Sequence, residues 1–217
     1  AIVLLAVVGA VRNYSIVPHW DMWHGYLHFH TLFSEGDWAT LFAFHNEHRI
    51  VLARLLFWID LELLRGTIWF LLVVNYLLVL AAFLTFRAFA LGHPVAAQQP
   101  RAVRLLLWFV LALLFAWVQW ENLTWGFQSQ FFLAQWLPLL ALYLLHRARA
   151  PGPEGTRHFA LACTVGVLAV GSMASGLLAL PLLLAAALWE RMGWRRVAVL
   201  ALLTAVLLPL YWVGFVT

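Results

Sequence analysis

Apolar residues run along this chain in long stretches, and the charged residues gather in the breaks between them. The apolar stretches are 1–11, 67–86, 105–118, 131–145, 159–189 and 197–216. Stretches of this length and uniformity are what membrane-crossing helices require, at about 20 residues per crossing. The stretch 159–189 is too long for one crossing. As a single helix it would extend about 46 Å, against a hydrocarbon core of roughly 30 Å. It is interrupted midway by Gly171-Ser172-Met173-Ala174-Ser175-Gly176, and the loops on both sides of it are rich in Arg. Basic loops belong on the cytoplasmic side, and two flanks on one side require an even number of crossings. The stretch is therefore expected to be a helical hairpin turning at 172–176.

The pattern predicts an all-α membrane protein with about seven transmembrane helices, its N-terminus cytoplasmic and its C-terminus outside. It forms a single transmembrane domain over 1–217. Residues 1–12 are its first helix, expected to be truncated at its start because 1–11 is shorter than a crossing. Residues 13–66 are a long periplasmic loop, and 67–217 hold six further crossings. Asp37 to Leu64 lacks Pro and Gly. Ser34-Glu35-Gly36-Asp37 resembles a capping box, and Trp38, Leu41, Phe42, Leu52, Leu55, Leu56 and Ile59 recur near helical spacing. Arg54, Asp60 and Glu62 make a buried crossing there costly. The loop is thus expected to carry amphipathic helices lying in the membrane interface.

Composition supports the membrane reading: 65% of residues are hydrophobic, 10% are charged and the mean hydropathy is +0.90, whereas soluble domains carry about 25% charge. The charge is asymmetric. The short loops expected inside hold nine Arg against Glu154 and Glu190, a net of +7. The loop 13–66 holds three Arg against Asp21, Glu35, Asp37, Glu47, Asp60 and Glu62, a net of −3. The pI of 9.8 does not indicate nucleic acid, because the Arg residues are dispersed among short loops as topology signals. Every basic residue is Arg and none is Lys, which reads as a GC-rich bacterial genome and makes the membrane a bacterial inner membrane. The lone Cys163 excludes a disulfide framework. Trp20, Trp69, Trp120, Trp125 and Trp189 stand near the ends of apolar runs, as interfacial belts do.

Polar side chains capable of chemistry are few. Asp21 lies between Trp20 and Trp23 just after the first crossing. Desolvation there raises carboxylate basicity and suits it to deprotonate a hydroxyl; the plainer reading is a helix cap or a solvated acid. His45-Asn46-Glu47-His48-Arg49 is the densest polar cluster. His45 and His48 are spaced to share a helical face, and Arg49 has the planar donor fork that holds phosphate; the plainer reading is the wet face of an interfacial helix. His24 and His28 are spaced for a metal but lack a Glu partner, so no metal is assigned. Trp120, Glu121, Asn122 and Gln128, with Trp125, suit recognition of sugar hydroxyls and stacking on a sugar face; the alternative is an ordinary interfacial turn. The small residues at 172–176 allow close approach of a headgroup or of another helix. Asn75 and Gln135 are expected to hydrogen-bond between helices.

A first crossing, a long outer loop with an early Asp and interfacial helices, and then short-looped crossings together resemble the GT-C superfamily of polyprenyl-phosphate-sugar glycosyltransferases. Trp20-Asp21-Met22-Trp23, His45 to Arg49 and Trp120-Glu121-Asn122 also look like bacterial membrane proteins placed near it. The likeness covers nearly the whole chain in topology. It implies inverting transfer of a sugar from a lipid-phosphate donor to an acceptor at the periplasmic face. Asp21 would be the base, His45, Glu47, His48 and Arg49 would bind the donor phosphate, and Trp120, Glu121, Asn122 and Gln128 would bind sugar or acceptor. Paired acids often stand in the family's first loop. Here Met22 follows Asp21, so a divalent metal is only weakly implied. The implied partners are membrane lipid and a polyprenyl-phosphate-linked sugar. A cavity bounded by Asp21, Arg49 and Glu121 is expected. The alternatives are a non-catalytic subunit that binds partner membrane subunits in a larger complex and, third, a transporter.

Overall fold

The computed structural model describes residues 1–215. Among them the chain is entirely helical, with no strand. Helix α1 (Ile2–Arg12) is apolar and closes on Asn13, whose Nδ2 donates to the Gly9 carbonyl at 2.8 Å. Gly9 is needed for packing. A Cβ there would lie 2.1 Å from the Trp117 ring, so only a bare backbone lets that indole lie against α1.

The first loop is more broken than its sequence suggests. A π-helix, Met22–His28, runs into α2 (Phe29–Ser34). A 3-10 turn follows at Trp38–Phe42. Its cap is Asp37 itself, whose carboxylate accepts from Ala39 N at 3.1 Å. The expected capping box at Ser34 does not form, because Ser34 ends α2 rather than starting a helix. Residues 45–48 make a tight turn, and only then does α3 (Val51–Leu64) begin. α3 is amphipathic, but its polar residues are not all on the wet side. Ala53, Arg54, Phe57 and Asp60 form its buried face.

Among the described residues six longer and two short α-helices follow. They are α4 (Trp69–Gly92), a short α5 (Val95–Gln98), α6 (Pro100–Leu114), a one-turn α7 (Trp120–Thr124), α8 (Ser129–Arg147), α9 (Gly152–Val170), α10 (Ala179–Trp189) and α11 (Trp194–Tyr211). Among the described residues, three segments are long and apolar enough to cross a membrane: Trp69–Gly92, Pro100–Thr124 and Trp194–Tyr211. Two further apolar helices, Ile2–Arg12 and Ala174–Trp189, are shorter. The last apolar stretch was expected to reach Val216, which with Thr217 lies outside the described residues.

Helix α8 is the centre, packed against α4, α9 and α10. The long stretch 159–189 is broken, as its length requires. α9 ends at Val170, a 3-10 turn runs Ala174–Leu178, and α10 returns antiparallel. A Cβ on Gly166 would lie 2.8 Å from Leu183, and one on Gly176 would lie 1.9 Å from the Ala169 carbonyl. Glycine at both points is what allows so close a reversal. Its two basic flanks meet at one end of the bundle. Arg196 donates to the Ala148 carbonyl at 2.7 Å, and Arg149 lies 3.7 Å from Glu190. At the other end the first loop covers the turn, where Leu52 N donates to the Gly171 carbonyl at 3.1 Å.

Candidate functional site

Beneath the first loop lies an aromatic core of Tyr26, Phe29, Phe57 and Phe127. Two charged residues of α3 are sunk into it. Asp60 is fully buried, accepting from the Tyr26 hydroxyl at 2.6 Å and from Ile68 N at 3.1 Å. Burial pushes its carboxyl pKa up, an effect only partly offset by the two donors. The Tyr26 hydroxyl is pushed up too, first by burial and then by Asp60. Arg54 has no acid beside it. Its guanidinium donates to the carbonyls of Thr40 (2.7 Å), Leu41 (3.3 Å) and Ala43, and lies over the Phe29 ring. Burial brings its pKa down to about 10. These two residues tie α3 to the segments before and after it. Sequence reasoning saw them only as obstacles to a crossing. No sequence signal paired Asp60 with Tyr26, 34 positions away.

Asp21 opens the π-helix. Its backbone carbonyl accepts from Gly25 N at 2.6 Å, and its side chain is half exposed. Behind it stands His45, which is almost fully buried, with its Nε2 3.7 Å from Asp21 Oδ2. That is longer than a direct hydrogen bond. Burial is the largest influence on His45 and lowers its pKa; Asp21 pulls it upward and Arg54 lowers it further. Burial therefore favours the neutral imidazole over the charged one. The ring edge meets Phe127 at 5.4 Å. Gly25 makes this contact possible, because a Cβ there would lie 2.7 Å from Phe127 and 3.1 Å from His45.

The polar cluster 45–49 is not helical, contrary to its spacing. His45 and His48 exchange backbone hydrogen bonds at 2.8 and 3.0 Å across a turn, with Asn46 left-handed at φ 54°. Asn adopts that conformation more readily than other non-glycine residues, and a three-residue spacing looks the same in a turn as in a helix. The turn splits the cluster between two directions. His45 faces Asp21, while His48 sits 3.6 Å from Glu47. Arg49 points to the end of α11, donating from Nε to the Tyr211 carbonyl at 2.7 Å and from its two terminal nitrogens to the carbonyls of Phe42 and Val213. A helix end presents unpaired carbonyls and partial negative charge, so a guanidinium is well matched to it. Three of its five N–H groups are used in this way.

Arg49 also stands at the head of an apolar groove of about 470 Å³, walled by Val51, Leu52, Val170, Leu207 and Leu210. Trp120 and Glu121 line a separate, smaller cleft of about 150 Å³ with Asn13, Ser15, His19 and Trp125. Asn122 lies beside them on α7 but does not line the cleft. Gln128 is buried away from it, its Oε1 without a partner. Asp21, Arg49 and Glu121 therefore do not bound one cavity as expected, since Arg49 and Glu121 line different ones. An aromatic wall links Asp21 to the Glu121 cleft. Trp125 lies 5.8 Å from His19, 6.2 Å from Trp20 and 5.4 Å from Phe127. Asn13, Ser15 and His19 were not singled out in the sequence, because nothing in their spacing points at Glu121. The His24 and His28 rings lie 5.0 Å apart, and no third His, Cys, Asp or Glu completes a metal-holding group among the described residues. Asn75, expected to bond between helices, instead donates to the Trp125 carbonyl in the break after α7 at 3.1 Å.

Comparison with family models, with curated proteins and with solved structures finds no match for this chain.

Proposed function

We propose that this chain is a GT-C-like glycosyltransferase of a bacterial inner membrane, moving a sugar from a polyprenyl-phosphate donor to an acceptor at the periplasmic face. In this reading α1, α4, the α6–α7 segment, α8, α9, α10 and α11 make seven crossings with the N-terminus inside. Its support is the gathering of the first loop, the 171–178 turn and the end of α11 at one end of the bundle, with the basic loops at the other.

The observation that carries the proposal is the arrangement around the turn at 45–48. On one side a half-exposed carboxylate, Asp21, is backed by a buried imidazole whose burial favours the neutral form. On the other, an arginine heads an apolar groove. The four Cα-to-Cα steps from His45 to Arg49 span at most about 14 Å, the scale of a sugar phosphate. The prenyl chain lies in the groove with its phosphate at the two free N–H groups of Arg49. Asp21 takes the proton of the acceptor hydroxyl as that oxygen bonds to the anomeric carbon. The bond from that carbon to phosphate breaks, and its electron pair leaves on the lipid phosphate, which Arg49 stabilises. Trp120, Glu121 and Trp125 bind the acceptor.

The test is transfer from undecaprenyl-phosphate hexoses and pentoses labelled in the sugar, with the chain reconstituted in vesicles. Asp21→Asn lowers transfer about 100-fold or more; full activity in that variant refutes the base assignment. One observation favours a second reading, a non-catalytic subunit: Arg49 is largely engaged with backbone carbonyls and shares no cavity with Glu121. A wild-type chain that transfers none of these sugars but co-purifies with a fixed membrane partner supports that reading.

A further inference from the structure

We propose that the cleft between the far ends of α4 and α6 binds an anionic phospholipid. Its phosphate lies between Arg87 and Arg104, and an acyl chain runs along Phe83, Trp108 and Leu111. The site is at the opposite end of the bundle from Asp21. α4 starts beside the first loop, where Trp69 stacks on Tyr14, and ends where Phe89 meets His146 of α8.

Two adjoining cavities, of about 330 and 290 Å³, share Arg87, Arg104 and Leu107. The first lies toward the loop and is lined by Leu91, Ala96, Pro100 and Val103. The second is an apolar slot formed by Phe83, Trp108 and Leu111. Together they have the form of a headgroup seat with a tail channel. No acid lines either part. Among the described residues, the two acids at this end are held elsewhere: Glu154 by Arg147, and Glu190 by His146 and Arg149. Arg87 and Arg104 take part in no ion pair and no side-chain hydrogen bond there. Two arginines lining one cleft with no acid beside them are complementary to a phosphate. A basic pocket between apolar helices at a membrane surface is complementary to an anionic lipid. The exposed Trp108 side chain, at the slot, offers the amphipathic ring found at headgroup depth.

The inference does not depend on the proposed transferase activity, and its test reads lipid binding alone. The full chain is exchanged into mixed micelles of detergent with equal phosphatidylglycerol and phosphatidylcholine, and retained lipids are counted by native mass spectrometry. Wild type retains phosphatidylglycerol in preference to phosphatidylcholine. Arg87→Gln and Arg104→Gln each weaken retention about fivefold, the scale of one basic residue at an anionic surface. The control pair Arg191→Gln with Arg195→Gln removes two charges from the same end outside the cleft, more than either single variant, and leaves retention unchanged. Equal loss in the control pair overturns the site, as does equal retention of phosphatidylcholine. Displacement of phosphatidylglycerol by inorganic phosphate at matched ionic strength assigns the cleft to a free anion and also overturns it. Trp108→Ala provides a second reading that leaves both arginines in place. It weakens retention of long-chain phosphatidylglycerol and not of the dioctanoyl form; an effect on neither refutes the tail channel.

Discussion

The Tyr26–Asp60 pair offers the sharpest test of how the first loop is held. Tyr26→Phe keeps the ring, which meets Phe57 edge-on at 5.5 Å, and removes only the hydroxyl that donates to Asp60 at 2.6 Å. Both residues are buried, so water cannot replace the lost donor. A hydrogen bond to a charged group in such a place is worth about 1.5–3 kcal/mol. For a chain of this size that corresponds to a fall in Tm of roughly 3–12 °C. Asp60→Asn separates the charge from the hydrogen bonds, because the amide oxygen still accepts from Tyr26 and from Ile68 N. The folded pKa of Asp60 is raised by burial. Its favourable contribution is therefore fully present below the unfolded value of about 3.9 and is lost as pH rises through the higher folded value. The wild type thus loses stability relative to Asp60→Asn across that window. Any fixed cost of placing the amide NH₂ at the unpartnered Oδ1 position shifts the difference but not its slope. The assay is thermal unfolding in detergent from pH 4 to 8, followed by tryptophan fluorescence. A difference between wild type and Asp60→Asn that is flat with pH, or a Tyr26→Phe chain as stable as the wild type, would refute the reasoning.

Gly25→Ala forces a Cβ against Phe127 and His45. Overpacking of this kind costs about 1–3 kcal/mol, and it should move the His45 imidazole away from Asp21, visible as a changed His45 titration by NMR of labelled histidine. Arg49→Lys replaces a planar fork that reaches three carbonyls with a single ammonium. The end of α11 should then be cut by protease at least several-fold faster than in wild type, while α8 and α9 stay protected.

The bundle was legible in the sequence where length and charge constrained it. The stretch 159–189 was expected to break because it is long for one crossing, and α9 does end at Val170 beside Gly171. The two basic flanks, read as lying on one side, touch through Arg196 and Ala148. The site was less legible. Asp21 and His45 were both singled out, but their pairing depends on a π-helix and a left-handed Asn46, and neither leaves a periodic signature. His45 and His48 were placed on one helical face by their three-residue spacing, yet backbone pairing within the turn took precedence. Arg54 and Asp60 were read by their cost in lipid, when their position is set by carbonyls and a hydroxyl that come from elsewhere in the first loop.

Arg49 reaches across 162 to 164 positions to the end of α11. The first loop is therefore synthesised well before its anchor. Until α11 is in place, the turn at 45–48 has no partner for Arg49, and the groove of about 470 Å³ lacks the wall formed by Leu207 and Leu210. Contacts of such long sequence separation form late and slowly. Completion of this face therefore waits on α11, and a chain that has packed the helices before it still lacks the groove until that helix arrives.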